Sequence, residues 1–318
     1  MAENTVKKIA TRESYGNSLK ELAEEFPNLV VLDADLAAAT KTGIFRKAYP
    51  DRHIDCGIAE ENMMGVAAGL SLVGKIPFVS SFAMFAAGRA FEQVRNSIGY
   101  PHLNVKIGAT HAGITVGEDG ATHQCNEDIA LMRTIPGMTI VSPADGTEAR
   151  AAVEAAILHD GPVYLRFGRY AVPYLYDEST YKFELGRGVK LAEGSDVTIV
   201  ATGLMVHLAL AAKELLKADG ISAEVINIHT IKPLDTELLA ASASKTRAVV
   251  TAEEHNIIGG LGGAVCETLA GICPVPVLRV GVEDTYGRSG KVPALLEMYG
   301  LTAANIAAKA KAAVGMKK

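Results

Sequence analysis

The chain has 318 residues, of which 49% are hydrophobic and 21% are charged, and its formal net charge is −5. This length fits two globular domains, and the mildly acidic balance gives no reason to expect nucleic acid or an anionic membrane as a partner. No apolar run approaches the roughly 20 residues that span a bilayer, and no apolar segment of a secretory signal follows Lys7 and Lys8. The four cysteines lack metal-ligand spacing, so we expect reduced thiols in a cytoplasmic protein.

Apolar runs of strand length alternate with alanine-rich stretches of helical period in the first half of the chain. A helix is predicted around residues 18–25, and strands are predicted at 29–32, 76–79, 104–107, 140–141 and 163–166. The helices between these strands are predicted at 61–72, 86–98 and 147–158. Continuous apolar strands separated by helices are typical of a parallel sheet that is covered on both faces. We therefore predict a first domain over residues 1–170.

An irregular aromatic and polar stretch at residues 171–186 predicts a linker. The alternation of strands and helices then restarts, with elements predicted at 197–202, 206–218, 223–228, 248–252, 260–269 and 277–280. This pattern predicts a second domain of ordinary size over residues 187–318. The predicted fold class is α/β, with two domains that are each a mostly parallel sheet flanked by helices.

Two clusters in the first domain lie at predicted strand ends, where open α/β sheets bind ligands. Glu60 and Glu61 are adjacent carboxylates at a predicted helix start. An acidic first turn complements the helix dipole, and the functional alternative is one carboxylate turned inward to bind a ligand. Phe82 and Phe85 follow the strand at 76–79. They fit core packing, and they also fit a stacking wall for a flat heterocycle.

A third cluster, at residues 110–124, combines two histidines, two carboxylates and several glycines with little that could form a core. Glycine permits close backbone approach and left-handed conformations, and loops of this composition are usually functional. No compact metal-binding spacing such as HExxH is present, so no metal ligand is predicted in this chain. A binding or catalytic loop is the better interpretation of this segment.

These clusters, in this order, resemble the pyrimidine-binding domain of transketolases, which are thiamine-diphosphate-dependent enzymes. Residues 57–63 (GIAEENM) are similar to the family's glutamate motif, and residues 82–85 (FAMF) are similar to its aromatic pocket. Residues 117–124 (GEDGATHQ) match the family signature GEDGPTHQ, with Ala121 in place of proline. The second domain also resembles the family's C-terminal domain, so the resemblance covers nearly the whole chain.

The resemblance implies a cofactor site in the first domain. Glu60 would hydrogen-bond a pyrimidine nitrogen of thiamine diphosphate and favour the tautomer that deprotonates the thiazolium carbon. Such a bond is strengthened where water is excluded, and the cofactor itself carries the chemistry. Phe82 and Phe85 would stack on the aminopyrimidine. Asp35 would lie near the cofactor, and its alternative role is to cap the next segment.

The resemblance also implies a site for sugar phosphates. His111 and His123 would contact sugar hydroxyls and assist proton transfer, which suits the near-neutral pKa of histidine. Together with Glu60, these histidines are the expected catalytic residues. Asp119 would bind the hydroxyl next to the carbonyl of the donor sugar.

Two arginines match positions that hold the sugar phosphate. These are Arg12 and Arg166, and a planar guanidinium suits phosphate; for Arg12 the alternative is a plain surface charge. Ala39 stands where the family often has a phosphate-binding serine, with Thr40 adjacent, and this departure leaves the exact sugar open. Gly88 stands where a further aromatic residue is common, which predicts a roomier cofactor pocket.

The sequence lacks the GDG motif with which the family holds the diphosphate and a divalent metal. Because the first predicted helix begins near the start of the chain, we expect that motif on a separate N-terminal partner subunit. This chain would then bind only the pyrimidine end of the cofactor, and the Mg²⁺ ligands would lie on the partner. The expected assembly is a heterotetramer, in which two copies of this chain associate and the second domain contributes mainly to dimer contacts.

The predicted activity is transfer of a two-carbon ketol unit from a ketose phosphate to an aldose phosphate. Alternatives in the same enzyme class are a 1-deoxyxylulose-5-phosphate synthase-like subunit and a 2-oxo acid dehydrogenase beta-like subunit. The GEDG string with His111 upstream favours a transketolase, and one that acts on an unusual ketose phosphate or a sulfonated sugar is also open. A non-catalytic partner subunit is the alternative from another class, and the presence of Glu60, Asp119 and both histidines argues against it.

Overall fold

The structure is a computed structural model, and it describes residues 7–317. The outer ends of the two predicted domains, residues 1–6 and 318, lie outside the described residues. Two larger sheets with flanking helices follow one another along the described chain. The predicted fold class, α/β with two mostly parallel sheets flanked by helices, is confirmed.

The first part of the chain alternates strands and helices up to residue 173. Its described strands are β1 Lys8–Ala10, β2 Leu29–Asp33, β3 His53–Asp55, β4 Ile76–Phe82, β5 Lys106–Thr110, β6 Thr139–Val141, β7 Val163–Arg166 and β8 Ala171–Pro173. Its α-helices are α1 Thr11–Leu22, α2 Ala37–Thr40, α3 Gly43–Ala48, α4 Glu60–Leu72, α5 Phe91–Gln93, α6 Asp128–Arg133 and α7 Gly146–Leu158. The 3-10 helices are Pro50–Arg52 and Ile114–Asp119, and the π-helices are Met84–Arg89 and Val94–Gly99.

The second part repeats the alternation from residue 189. Its described strands are β9 Val189–Ala192, β10 Val197–Ala201, β11 Ala223–Asn227, β12 Thr230–Lys232, β13 Val249–Asn256 and β14 Val277–Val282. Its helices are α8 Met205–Ala218, α9 Thr236–Thr246, α10 Leu261–Ile272, α11 Val292–Met298 and α12 Ala303–Gly315. The described strands of its sheet run in the order β14-β13-β10-β11-β9, and β9 is antiparallel to its neighbour.

The sheet of the first domain is completed by a strand from the second. Its described strands run in the order β12-β6-β7-β5-β4-β2-β3, and β12 is antiparallel to β6 whereas the other pairs are parallel. Parallel strands bring their carboxyl ends to one edge of the sheet, which is where ligands bind in this class of fold. Residues that follow β2, β4 and β5 therefore meet at one edge.

A short antiparallel pair joins the two ends of the first domain. Strand β1 pairs with β8, so that Ala10 lies opposite Ala171. The predicted linker at residues 171–186 thus begins with a strand, in which Val172 is buried. This pairing brings the start of α1 next to the segment that follows β7, a contact that the sequence pattern did not indicate.

Both faces of each sheet are covered by apolar side chains, and a fully buried aliphatic side chain contributes roughly 1.5–3 kcal/mol. Ile114 and Ala144, from the first domain, pack in the core of the second domain. The two domains therefore share apolar contacts as well as a strand.

Two strands end later than the sequence pattern predicted. Strand β4 continues through two serines to Phe82, because Ser80 and Ser81 are buried and Ser80 forms a 2.6 Å hydrogen bond with the hydroxyl of Tyr15. Strand β5 begins at Lys106 and ends at Thr110. Strand β4 thus includes buried polar residues, and the candidate residues lie directly at the strand ends.

Candidate functional site

The ends of β4 and β5 place an aromatic ring and a histidine side by side. Phe82 is paired with Thr110, the last residue of β5. His111 follows in a left-handed conformation with φ 58°, and its ring lies 3.7 Å from the ring of Phe82. Positive φ is uncommon outside glycine, and such residues cluster at functional sites. The register of the two strands is therefore what brings Phe82 and His111 together.

Four rings form one cluster, which we call the aromatic wall: Phe82, Phe85, His111 and His123. The rings of Phe82 and Phe85 are stacked with centroids 5.8 Å apart and an angle of 11° between their planes. The ring of His123 meets Phe85 edge-on at 5.5 Å. The predicted stacking residues and both predicted histidines thus come together at one edge of the sheet.

The helix predicted at residues 86–98 is instead a short α-helix between two π-helices. A π-turn widens the helical backbone and is frequent at functional sites. The first π-helix, Met84–Arg89, carries Phe85 toward Phe82 and Arg89 toward α4. The interruption therefore shapes the candidate site.

The loop at residues 111–124, here the signature loop, returns to the aromatic wall because its base is closed. The backbone N–H of Gly113 donates to the carbonyl of Cys125 at 2.8 Å. Gly113, Gly117 and Gly120 all have φ between 77° and 86°, which favours glycine. The closed base places the two histidines on the same wall, although 12 positions separate them in the numbering.

Glu60 is turned inward, whereas its neighbour Glu61 is exposed. Glu60 is the first residue of α4 and is 2% exposed. Both of its carboxylate oxygens accept from the Nη1 of Arg89, at 3.1 and 2.9 Å. The guanidinium of Arg89 in turn lies 4.5 Å from the ring centre of Phe85. The carboxylate is therefore linked to the aromatic wall, which is the inward arrangement of the functional alternative.

Arg89 is a site residue that the sequence reasoning missed. It is the residue of opposite charge closest to Glu60 in the structure, with the Arg89 side chain 48% exposed. Its signal was a cation four positions after Phe85 in an otherwise apolar helical run, a spacing that puts both side chains on one helix face.

His111 is buried and neutral. Burial first, and then the positive charge of Arg12, lower the pKa of His111 to about 3. The Nη1 of Arg12 lies 2.9 Å from Nε2 of His111, and an arginine can only donate. Nε2 therefore accepts, and Nδ1 carries the proton toward the hydroxyl of Thr110 at 2.8 Å. His111 thus presents an imidazole, and not an imidazolium, to the site.

A second arginine, Arg169, lies beside Arg12 because β1 and β8 pair. Arg12 follows Ala10 by two residues and Arg169 precedes Ala171 by two, and these alanines are opposite each other. Burial, and then the charge of Arg169, lower the pKa of Arg12 below its ordinary value. Two arginines that repel each other in the absence of an anion form a suitable site for one. We call Arg12 and Arg169 the cationic pair.

Asp119 completes the polar side of the site. Its Oδ2 lies 3.9 Å from Nη1 of Arg169, and both side chains are partly exposed. The same nitrogen of Arg169 donates to the carbonyl of Val116 in the signature loop. One series of contacts therefore links the two ends of the site. It begins at Glu60 and Arg89 and continues through the aromatic wall to Arg12. At the polar end, Arg169 contacts Asp119.

Arg166 does not lie in this site, so the position predicted to hold phosphate is occupied by a structural residue. Its guanidinium is 6% exposed and donates to Oδ2 of Asp128 and to the carbonyl of Glu254, each at 2.8 Å. The physical reason is that Arg166 is the last residue of a buried strand, and its side chain enters the contact between the domains. Arg169, three residues later and past the strand end, is the arginine that faces the site.

Two further residues near the end of β2 stand apart from the contacts described. Asp35 is exposed, with φ 61°, and its backbone N–H donates to Asp55 at 3.1 Å. Thr40 is buried, and its hydroxyl is engaged with the carbonyl of Leu36 and with Thr42. Thr40 therefore does not replace the missing serine. The carbonyl of Ala39 instead holds Arg12, at 2.7 Å from its Nη1.

The room predicted at Gly88 is taken up by a neighbouring side chain. A Cβ atom added to Gly88 would lie 2.4 Å from the terminal methyl of Met84. Met84 is flexible and fills irregular gaps well. Met84 therefore occupies the space next to Gly88, and a roomier cofactor pocket stays a prediction.

A cavity of about 710 Å³ opens beside Phe85 and Arg89, between the two domains. Its walls include Thr122 of the signature loop and, from the second domain, Asn256 and Tyr286. The volume is within the usual range for small-molecule sites. A buried carboxylate, a stacked aromatic pair and an adjoining cavity fit the aminopyrimidine of thiamine diphosphate.

Within residues 7–317, no group of three or more histidine, cysteine, aspartate or glutamate side chains is arranged to hold a metal ion. In the same range, every helix is too short or too polar to cross a membrane.

Two family models match most of the chain. The model described as transketolase, pyrimidine binding domain, matches residues 7–173, and the model described as transketolase, C-terminal domain, matches residues 186–306. Among curated proteins, the chain is 51% identical over 298 residues to a putative transketolase C-terminal section of Methanocaldococcus jannaschii, and the match covers 93% of each chain. It is 49% identical to the 6-deoxy-6-sulfo-D-fructose transketolase subunit of a Clostridium species, over 93% of this chain and 91% of that one.

A solved structure extends the likeness to the whole fold. The structure described as a split gene transketolase, inactive beta4 tetramer, superposes with a TM-score of 0.90. It is 54% identical in sequence, and the match covers 98% of this chain and 100% of that chain.

Proposed function

The chain belongs to the transketolase family, and we propose that it is the C-terminal subunit of a split, thiamine-diphosphate-dependent transketolase. The observation that carries the proposal is the set of contacts that links buried Glu60 and the aromatic wall to the cationic pair and Asp119. One end of this set suits a heteroaromatic ring, and the other suits a phosphorylated sugar. The proposed reaction moves a two-carbon ketol unit from a ketose phosphate to an aldose phosphate.

Three residues of this chain would hold the cofactor, which supplies a nucleophilic carbon and an electron sink when bound. Glu60 would share a proton with the pyrimidine nitrogen through a buried hydrogen bond, and Arg89 would have to give up part of its contact with that carboxylate. Phe82 and Phe85 would orient the ring by stacking. The aromatic wall also keeps water away from this bond, which strengthens it.

The polar end of the site would bind the sugar. Arg12 and Arg169 would hold the phosphate, and Asp119 would accept a hydrogen bond from the hydroxyl next to the donor carbonyl. His111 is neutral, and its Nε2 accepts from Arg12, so a sugar hydroxyl would have to displace Arg12 before it could donate a hydrogen bond to this nitrogen. His123 is less buried and carries a hydrogen bond to Thr122, which orients its ring toward the wall.

We also propose that activity requires an N-terminal partner subunit, which would hold the diphosphate and the Mg²⁺ ion. Two copies of each chain would then form a heterotetramer. The relative solved as an inactive beta4 tetramer of a split gene transketolase supports both self-association and dependence on a partner.

A sulfonated sugar is a second candidate substrate. One relative, at 49% identity, acts as a subunit of a 6-deoxy-6-sulfo-D-fructose transketolase. Phosphate and sulfonate are both compact oxyanions that a guanidinium can bind, so the cationic pair fits either. A competition assay between the sugar phosphate and the sulfonated sugar would show whether the site accepts both substrates or prefers one of them.

The test is transketolase activity with and without a co-expressed N-terminal-half protein, in thiamine diphosphate and Mg²⁺. Xylulose 5-phosphate and ribose 5-phosphate serve as substrates, and pyruvate with glyceraldehyde 3-phosphate tests the synthase alternative. We expect ketol transfer only when the partner is present. Transfer by this chain alone would contradict the partner requirement, and an assembled complex that binds cofactor but transfers nothing would contradict the activity.

A further inference from the structure

The signature loop is held from outside by the second domain, first through Glu254. This residue of β13 is 5% exposed, and its Oε1 accepts the backbone N–H of Thr115 at 2.7 Å. A Cβ atom at Gly113 would lie 2.3 Å from the same oxygen, so glycine allows the loop backbone to pass against the carboxylate. A buried carboxyl oxygen makes a strong hydrogen bond with a backbone N–H because few water molecules can compete for it.

The second contact is made by Gln124, at the end of the loop. Its Nε2 donates to the carbonyl of Arg288 in the second domain at 2.9 Å, and to the carbonyl of Ile114 within the loop at 3.0 Å. Gln124 is 3% exposed, and a Cβ atom at Gly287 would lie 1.8 Å from its Oε1. The backbone at Gly287 therefore lies directly against the side-chain amide of Gln124, and only a glycine leaves room for this contact.

Glu254 is itself held in place by the first domain. Arg166 donates from Nη2 to the carbonyl of Glu254 and from Nε to Asp128, which also accepts from the hydroxyl of Tyr164 at 2.9 Å. These groups are all buried. A rigid polar network thus fixes the acceptor that the loop uses, and this is the role that the structure assigns to Arg166.

The loop needs such support because it has little structure of its own. It consists of short 3-10 turns separated by glycines in left-handed conformations, and 3-10 hydrogen bonds have poorer geometry than α-helical ones. The loop begins with His111, carries Asp119 and ends beside His123. Any shift between its two contacts with the second domain would therefore move the residues that face the sugar.

We propose that Glu254 and Gln124 are positioning residues, through which the C-terminal domain sets the geometry of the sugar-binding loop. This gives the second domain a role in substrate binding in addition to dimer contacts. The inference rests on the proposed function, because it assumes that the loop binds the ketose.

The test compares Glu254→Ala with Glu253→Ala, its neighbour on β13. Glu253 is also buried, and it also accepts backbone N–H groups, from Leu261 and Gly262 at 2.6 and 2.8 Å. Its partners belong to α10 in its own domain. Both variants therefore remove a buried carboxylate, but only Glu254→Ala removes a contact with the signature loop. Glu254→Gln keeps an oxygen that can accept from Thr115, and Gln124→Ala tests the second contact if Glu254→Ala does not fold.

The first readout is hydrogen exchange of the full-length chain, which requires no activity. We expect Glu254→Ala and Gln124→Ala to increase exchange of the peptide at residues 111–124, and Glu253→Ala to increase exchange at the start of α10 only. Unchanged exchange of the signature loop in both loop variants, or an equal increase in Glu253→Ala, would overturn the proposal.

The second readout is kinetics of the complex with the partner. For Glu254→Ala we expect KM for the ketose phosphate to rise roughly tenfold, as for the loss of one good hydrogen bond, with thiamine diphosphate affinity unchanged. Glu254→Gln should restore most of the loss. An unchanged KM in Glu254→Ala would refute the positioning role. If the wild-type complex is inactive, the proposed transketolase activity is refuted, and the exchange experiment still decides whether the second domain holds the loop.

Discussion

Two neighbouring carboxylates at the start of α4 differ in their surroundings, so that one can be tested and the other can serve as its control. Glu60 is buried against the aromatic wall, whereas Glu61 faces solvent. An amide cannot share a proton with the pyrimidine nitrogen as a carboxylate does, so Glu60→Gln should lower kcat of the reconstituted complex by about 100-fold or more. Glu61→Gln should leave kcat unchanged. Equal turnover in wild type and Glu60→Gln would remove Glu60 from the mechanism.

Two arginines three positions apart should respond differently to truncation. Arg169→Ala removes a cation from the site, so KM for the ketose phosphate should rise at least roughly tenfold while the fold is kept. Arg166→Ala leaves the carboxylate of Asp128 buried without its partner, which should lower the free energy of unfolding by roughly 3–5 kcal/mol. Substrate kinetics and urea unfolding of both variants distinguish these effects. The reverse pattern would restore Arg166 as the phosphate ligand.

At the scale of elements, the π-helix Met84–Arg89 is packed too closely to accept a larger residue at its glycine. A Cβ atom at Gly88 would already meet the methyl of Met84 at 2.4 Å. Gly88→Tyr should therefore lower the free energy of unfolding by roughly 1–3 kcal/mol, as overpacking does.

The matched double variant Met84→Ala/Gly88→Tyr should recover part of that loss, because the shorter side chain makes room for the ring. Chemical unfolding of the two single variants and the double variant measures the coupling between the sites. If the changes in unfolding free energy of the two single variants simply add in the double variant, Met84 does not occupy the space that an aromatic side chain at position 88 would take.

At the scale of the whole molecule, the first domain depends on the second for its outer strand. Strand β12 pairs with β6, and the backbone N–H of Ser142 donates to the carbonyl of His229 at 2.7 Å. A fragment of residues 1–186 would leave β6 as an open edge and would expose Ile114 and the polar network around Arg166.

We expect this fragment to melt at a lower temperature than the full chain, or to aggregate. Circular dichroism melts and size-exclusion chromatography of both proteins measure the difference. A fragment that is monomeric and melts as the full chain does would show that the shared strand and network contribute little.

The family motifs and the α/β fold class could be predicted from the sequence, because both depend on patterns that are local in the chain. The period of the apolar residues distinguishes buried strands from helices, and the GEDGATHQ string identifies the family without any knowledge of contacts. The resemblance to the family also implied that Phe82, His111 and His123 belong to one site. Their roles in catalysis remain predictions.

Other features depended on contacts between residues far apart in the chain. The inward position of Glu60 with Arg89, and the neighbourhood of Arg12 and Arg169, follow from packing and from the β1–β8 pairing. Local sequence could not decide whether Arg166 or Arg169 faces the site. Arg166 ends strand β7 and Arg169 lies three residues beyond it, and only the packing around the strand end shows which side chain is buried.

The sequence by itself therefore determined which kinds of residue are present and in which order of strands and helices they lie. Only the tertiary structure decided which of them face the same space, and that the second domain holds the signature loop through Glu254 and Gln124. The physical reason is that periodicity reports the burial of a segment, whereas strand register and the contact between domains are set by interactions that no single segment contains.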